Sequence, residues 1–119
     1  MANLTIQSET TRINFIEYIG DTVLMQFAYK DADGVMIDLL NTTVSMEIRR
    51  DQLDAVPIAS FSSTDGSIDI TGTEANIKVI ISATQSATFL SGDYFYFIAT
   101  ETDGFVNTLI TGKIIMKVR

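Results

Sequence analysis

Carboxylates and aromatic rings are the two classes of side chain here whose types and spacing could do chemistry. Asp31-Ala32-Asp33-Gly34 begins like a calcium loop, where oxygen ligands recur at alternate positions and a Gly allows the sharp bend. The twelfth position from Asp31 is Thr42, where a helix–loop–helix calcium site needs a bidentate Glu, and the flanks read as strands. A hairpin turn accounts for the segment, and no metal is expected. Asp33, Asp38, Asp65 and Asp69 offer carboxylates for glycoside hydrolysis, which needs a pair about 5–10 Å apart. They fall mostly at turns or outward positions, in a chain with little room for a deep cleft. No catalytic residue and no enzyme activity is therefore expected. Nothing matches the P-loop or the dinucleotide fingerprint, so no cofactor is expected either.

The aromatic run Tyr94-Phe95-Tyr96-Phe97 is the other candidate. A strand in a sandwich buries one face, so two of these four rings must go elsewhere. They can cover a sheet edge, pack under a helical turn, meet another subunit or stack on a sugar. Because Tyr and Phe are enriched in interfaces, Tyr94, Phe95, Tyr96 and Phe97, with Phe105, form the candidate interface set.

The rest of the composition narrows the chemistry. The 119 residues include no His, Cys or Trp and a single Pro, at a net charge of −7. Disulfides, zinc fingers, thiol nucleophiles and imidazole proton shuttles are excluded. Residues 1–77 hold twelve acids against four bases, and residues 78–119 three against four. A net negative domain does not attract phosphate backbones or anionic lipid, so neither nucleic acid nor membrane is expected as a partner. The N-terminus lacks a basic start followed by an apolar run, and no apolar run approaches the length of a membrane span. At this length the chain is expected to be one domain, residues 1–119.

Strand-length apolar runs punctuated by Gly and Asp must position these groups. Val23, Met25, Phe27 and Tyr29 share one face of a strand over 22–29, and Val44, Met46 and Ile48 share one over 43–49, with Ser45, Glu47 and Arg49 opposite. Strands are also predicted over 35–40, 58–62, 67–71, 77–82, 94–99, 105–110 and 113–119. The strand over 77–82 is apolar on both faces and so central, and Val118 joins Ile114 and Met116 on one face of the last. Pro57, lacking an N–H, should open an edge strand or lie beside one. Residues 83–90 form the one plausible helical turn, capped by Ser82 or Thr84 and ended by Gly92. Asp33-Gly34, Asp65-Gly66 and Asp103-Gly104 are structural turns, and Gly112 marks a bulge. About nine short strands with turns every eight to twelve residues indicate an all-β, antiparallel β-sandwich, with a small barrel as the alternative.

The order of these motifs carries a resemblance. Gly20-Asp21-Thr22-Val23, Lys30-Asp31-Ala32-Asp33-Gly34, Ile37-Asp38-Leu39 and Thr43 to Arg49 are followed by Asp65-Gly66-Ser67-Ile68, Ile77-Lys78-Val79 and Ser82 to Ala87. Gly92-Asp93-Tyr94-Phe95-Tyr96, Asp103-Gly104 and Gly112-Lys113-Ile114 complete it. In this order and spacing the chain resembles small tailed-bacteriophage virion proteins, most nearly the N-terminal domain of the phage baseplate upper protein family. Asn41 stands near where that pattern carries a Gly, and residues 6–18 have no clear counterpart. The resemblance implies an immunoglobulin-like sandwich with one short helical turn near residues 83–90. It also implies a non-enzymatic structural role in the head–tail region, tail, baseplate or capsid fibre. Partners would be other virion proteins, with the chain a homo-oligomer in the particle, made in the host bacterial cytoplasm. A carbohydrate-binding or adhesion module, with Tyr94, Tyr96 or Phe105 as the sugar platform, is the alternative.

Overall fold

Alternation of apolar and polar side chains, with β-branched and aromatic residues filling the buried positions, makes strands of most of this chain. The computed structural model describes the backbone of residues 4–6 and all of residues 11–119. In chain order the elements are β1 (Leu4–Ile6), β2 (Thr11–Arg12), β3 (Phe15–Tyr18), β4 (Val23–Tyr29), β5 (Thr43–Arg49), β6 (Ala59–Ser62), β7 (Ile68–Asp69), β8 (Ile77–Ile81), α1 (Ala83–Ser86), β9 (Gly92–Thr102) and β10 (Phe105–Lys117). One sheet runs β1-β4-β8-β7. The other runs β2-β10-β9-β5-β6, with β3 also on β10. The chain changes sheet after β1, between β3 and β4, after β4, after β6 and after β8. This is the immunoglobulin arrangement of a four-stranded sheet facing one built on a central hairpin. The structure is an all-β sandwich.

The inward faces meet in a core that includes Val23, Met25 and Phe27 of β4, Val44, Met46 and Ile48 of β5, Ile77, Val79 and Ile81 of β8, and Ile98, Ile110 and Ile114 of the β9–β10 hairpin. The period-two faces read from sequence on β4 and β5 are the buried ones, although Tyr29 is only half-buried. At the crossing from β8 to β9, Ser82 caps α1 by accepting a bond from the Gln85 amide at 3.1 Å. The buried Tyr94 then turns its hydroxyl back to accept the Leu90 amide at 2.8 Å. This is the tyrosine corner of such sandwiches, which ties the incoming loop to the first turn of the strand.

The edge of β10 is closed by the chain's own N-terminal portion. β2 and β3 run parallel to β10, Thr11 opposite Ile110 and Phe15 opposite Ile114. Between them the Ile13 carbonyl lies so near Gly112 that a Cβ there would sit 1.9 Å from it. Asn14 Oδ1 takes the Lys113 amide at 2.9 Å, and Tyr96 donates its hydroxyl to the Ile13 carbonyl at 2.7 Å. Gly112 thus marks a close approach of two backbones. The bulge in β10 falls a few residues earlier, between Thr108 and Ile110.

Several expectations are corrected. Residues 35–40 form no strand: apart from a single bridge between Lys30 and Met36, the segment is an irregular crossover. Its anchor is Asn76, which is buried, accepts the Tyr29 amide at 2.7 Å and donates to the Ile37 carbonyl at 2.8 Å. A side chain here satisfies backbone groups that a strand ladder would otherwise pair. The helix stops at Ser86 with Ala87 as its cap, and Gly92 instead opens β9 at φ +124°. β8 lies between two strands, yet Ile80 is half exposed, so only one of its faces is in the core. Val118 lies beyond the last strand and is exposed. β6 follows Pro57 and forms an edge, as expected. The three Asp-Gly pairs all turn the chain. Asp103 and Gly104, at φ +51° and +85°, form the two-residue tip of the β9–β10 hairpin.

Two substitutions separate the roles of glycine. Gly34, at φ +80° with open space around it, should lose about 1 kcal/mol on change to Ala or Val. Gly112→Ala should cost about 2 kcal/mol or more, because the new methyl meets backbone rather than a side chain that can yield. Urea unfolding of the two variants tests the order. Asn76→Ala should cost about 2 kcal/mol and raise amide exchange at Tyr29, read by hydrogen-exchange mass spectrometry.

Candidate functional site

The aromatic run divides cleanly because β9 alternates. Tyr94 and Tyr96 face inward and are buried. Tyr94 packs on Phe89 beside the helical turn, ring centroids 4.8 Å apart, and the Arg50 guanidinium lies 4.5 Å above its ring. Tyr96 stacks near Phe15, and burial pushes its phenol well above the ordinary range, leaving it a neutral donor to Ile13.

Phe95 and Phe97 face outward from the six-stranded sheet and stay half-buried. Register decides their neighbours. Phe95 lies between Arg49 and Lys113, and Phe97 between Glu47 and Thr111. The Lys113 ammonium stands 5.6 Å from the centroid of Phe95 and the Arg49 guanidinium 5.8 Å from that of Phe97. Arg49 also pairs with Glu47 at 2.6 Å, and its Nε donates to the Asp54 carbonyl at 2.9 Å, tying the 50–57 loop to the face. Lys113 pairs more loosely with Asp93, at 3.4 Å. With Arg12, Gln52, Thr111 and Gly112, the two Phe rings line an open depression of about 460 Å³. Phe105, the remaining member of the candidate set, is 78 % exposed at the hairpin tip. The outward rings are thus brought together, the Tyr pair belongs to the core, and Phe105 stands apart. The cationic partners were legible only as outward positions, Arg49 on β5 and Lys113 on β10. Their meeting over the rings depends on cross-strand register, which no local pattern gives.

Of the four candidate carboxylates, Asp38, Asp65 and Asp69 accept local amide bonds, as Asp31 does, while Asp33 gives its own amide to Asp31 within the turn. Asp31 Oδ1 accepts the amides of Asp33 and Val35, and Asp38 Oδ1 that of Leu40. Asp65 Oδ1 takes both the amide and hydroxyl of Ser67, and Asp69 Oδ1 both those of Thr71. Those bonds hold Asp65 and Asp69 below the ordinary carboxylate value, opposite to the rise a general acid requires. Glu17 is raised, by burial first and by the nearby Asp21 charge second.

The geometry defines an immunoglobulin-like sandwich whose outer face sets the aromatic rings of Phe95 and Phe97 beside basic side chains. No protein-family model and no curated protein matches the chain. Solved structures do. One is described as the N-terminal domain of phage TP901-1 ORF48, similar at a TM-score of 0.53 and 11% identity, over 97% of this chain and 96% of that one. At that identity the likeness is one of fold.

The turn carboxylates make stability depend on pH in a set direction. Asp65 and Asp69 bind protons less readily folded than unfolded. Their contribution is present above 3.8 and is lost as pH falls through their lower folded values. The double change Asp65→Asn, Asp69→Asn should therefore flatten the acid limb of a stability profile taken by urea unfolding, relative to the unaltered chain.

Proposed function

We propose that this chain is a non-enzymatic structural protein of a bacteriophage virion, a tail or baseplate part or a head–tail or capsid-fibre component, acting through protein–protein assembly. The end-to-end likeness of fold to the N-terminal domain of phage TP901-1 ORF48 carries this reading. It is supported by the order of turn and strand motifs along the sequence and by four carboxylates committed to turns. The outer face adds a surface suited to protein contact, since Arg and aromatic side chains are enriched where proteins meet. A sugar platform needs an open ring face. Tyr94 and Tyr96 are buried, which leaves that alternative only Phe105.

Mass spectrometry of washed, density-purified particles from cells producing the phage tests the assignment. The chain should appear at a fixed ratio to the major virion proteins, and its absence from the particles would sink the assignment.

A further inference from the structure

Charge is sorted in this molecule. The end holding residues 30–42, 70–76 and the 101–105 tip carries Asp31, Asp33, Asp38, Glu74, Glu101 and Asp103 against Lys30 alone. The tip also exposes two apolar side chains, Phe105 at 78% and Val106 at 66%. On the outer face of the six-stranded sheet Arg12, Arg49, Lys113 and Lys117 stand against Glu47, Asp93 and, toward the tip, Glu101, with Arg49 paired to Glu47 and Lys113 to Asp93. In a chain of net charge −7 the face nearest the rings of Phe95 and Phe97 is thus not acidic, and Arg12 and Arg49 line the depression there.

We infer that copies of this chain associate head to tail, the acidic, apolar β9–β10 tip of one copy seating in the cationic, aromatic depression of the next. The inference rests on the assembly reading above and deepens it by naming the partner, a second copy, and both surfaces. Phe105 and Val106 bring apolar area to Phe95 and Phe97, while Glu101 and Asp103 come to Arg12 and the other cations. The Arg12 guanidinium makes no hydrogen bond or ion pair among the described residues, and it lines the depression. The depression, about 460 Å³, has room for a Phe side chain and its neighbours. The tip projects along the strands, whereas the depression opens on the face of the sheet. One chain therefore cannot satisfy itself, and the contact is heterologous, leaving a tip and a depression free at each end. At physiological salt the screening length is about 8 Å, so local complementarity outweighs the repulsion between two net-negative chains.

Two variants test the contact without touching the core. Phe105→Ser with Val106→Ser disables the tip. Arg12→Glu with Gln52→Glu reverses the rim, using side chains that make no internal bond among the described residues. The unaltered chain, followed by sedimentation velocity, should form species larger than a dimer as concentration rises. Each variant should melt like the unaltered chain yet associate at least ~100-fold more weakly, the loss expected when a contact's central anchors are removed. Mixed one to one, the variants should form a heterodimer and stop there, since the mixture holds one intact tip and one intact depression per pair. A chain monomeric at every concentration, variants that still associate, or a mixture that stays monomeric would each overturn the contact. None of these results bears on whether the chain is found in particles, so the two readings fail separately.

Discussion

No side chain fits between Gly112 and the Ile13 carbonyl, and the six-stranded sheet depends on that contact. It lets residues 11–18 lie along β10 as β2 and β3, closing an edge that would otherwise expose a row of backbone donors and acceptors. Tyr96 fixes the same carbonyl from the core side, and Asn14 fixes the Lys113 amide across the gap. Phe15 is thereby delivered into the core against Phe27 and Tyr96, ring centroids 6.0 and 5.9 Å away. Gly112 also borders the outer depression, beside Phe95 and Phe97.

Much of the fold was legible because its signals are local. The alternation in 43–49 gave β5 to the residue, and Asp103-Gly104 gave the tip of the long hairpin. Residues 35–40 misled because Val35, Met36, Ile37, Leu39 and Leu40 make an apolar run of strand length. Tertiary pairing with Asn76 replaced the ladder that such a pattern anticipates. Asn76 itself carries no local signal, being one polar residue next to a strand. The hydroxyl bond of Tyr94 also went unseen, although a Tyr just after a short helical turn is the pattern that could have revealed it. At the candidate site the split of the aromatic run follows from strand alternation. The guanidinium and ammonium over the outward rings follow from register, which sequence periodicity does not carry.

The acidic character of the chain has two parts. Asp31, Asp38, Asp65 and Asp69 each accept, with their own side chains, the amide two residues further on. The outer sheet face departs from that rule, pairing aromatic rings with bases that the strand order gathers from three separate segments.

The parallel pairing of β3 with β10 also has a mechanical meaning. Both strands run in the same direction, so the chain enters the pair at Phe15, opposite Ile114, and leaves it at Lys117, opposite Tyr18. Tension along the polypeptide would pull the two strands in opposite senses. The evenly spaced bonds between Phe15–Tyr18 and Ile114–Lys117 would then bear the load together in shear instead of opening one after another. The Ile13 carbonyl, held against Gly112 and bonded by Tyr96, adds a stop to that sliding. Under such a load the sheet edge would act as a clamp.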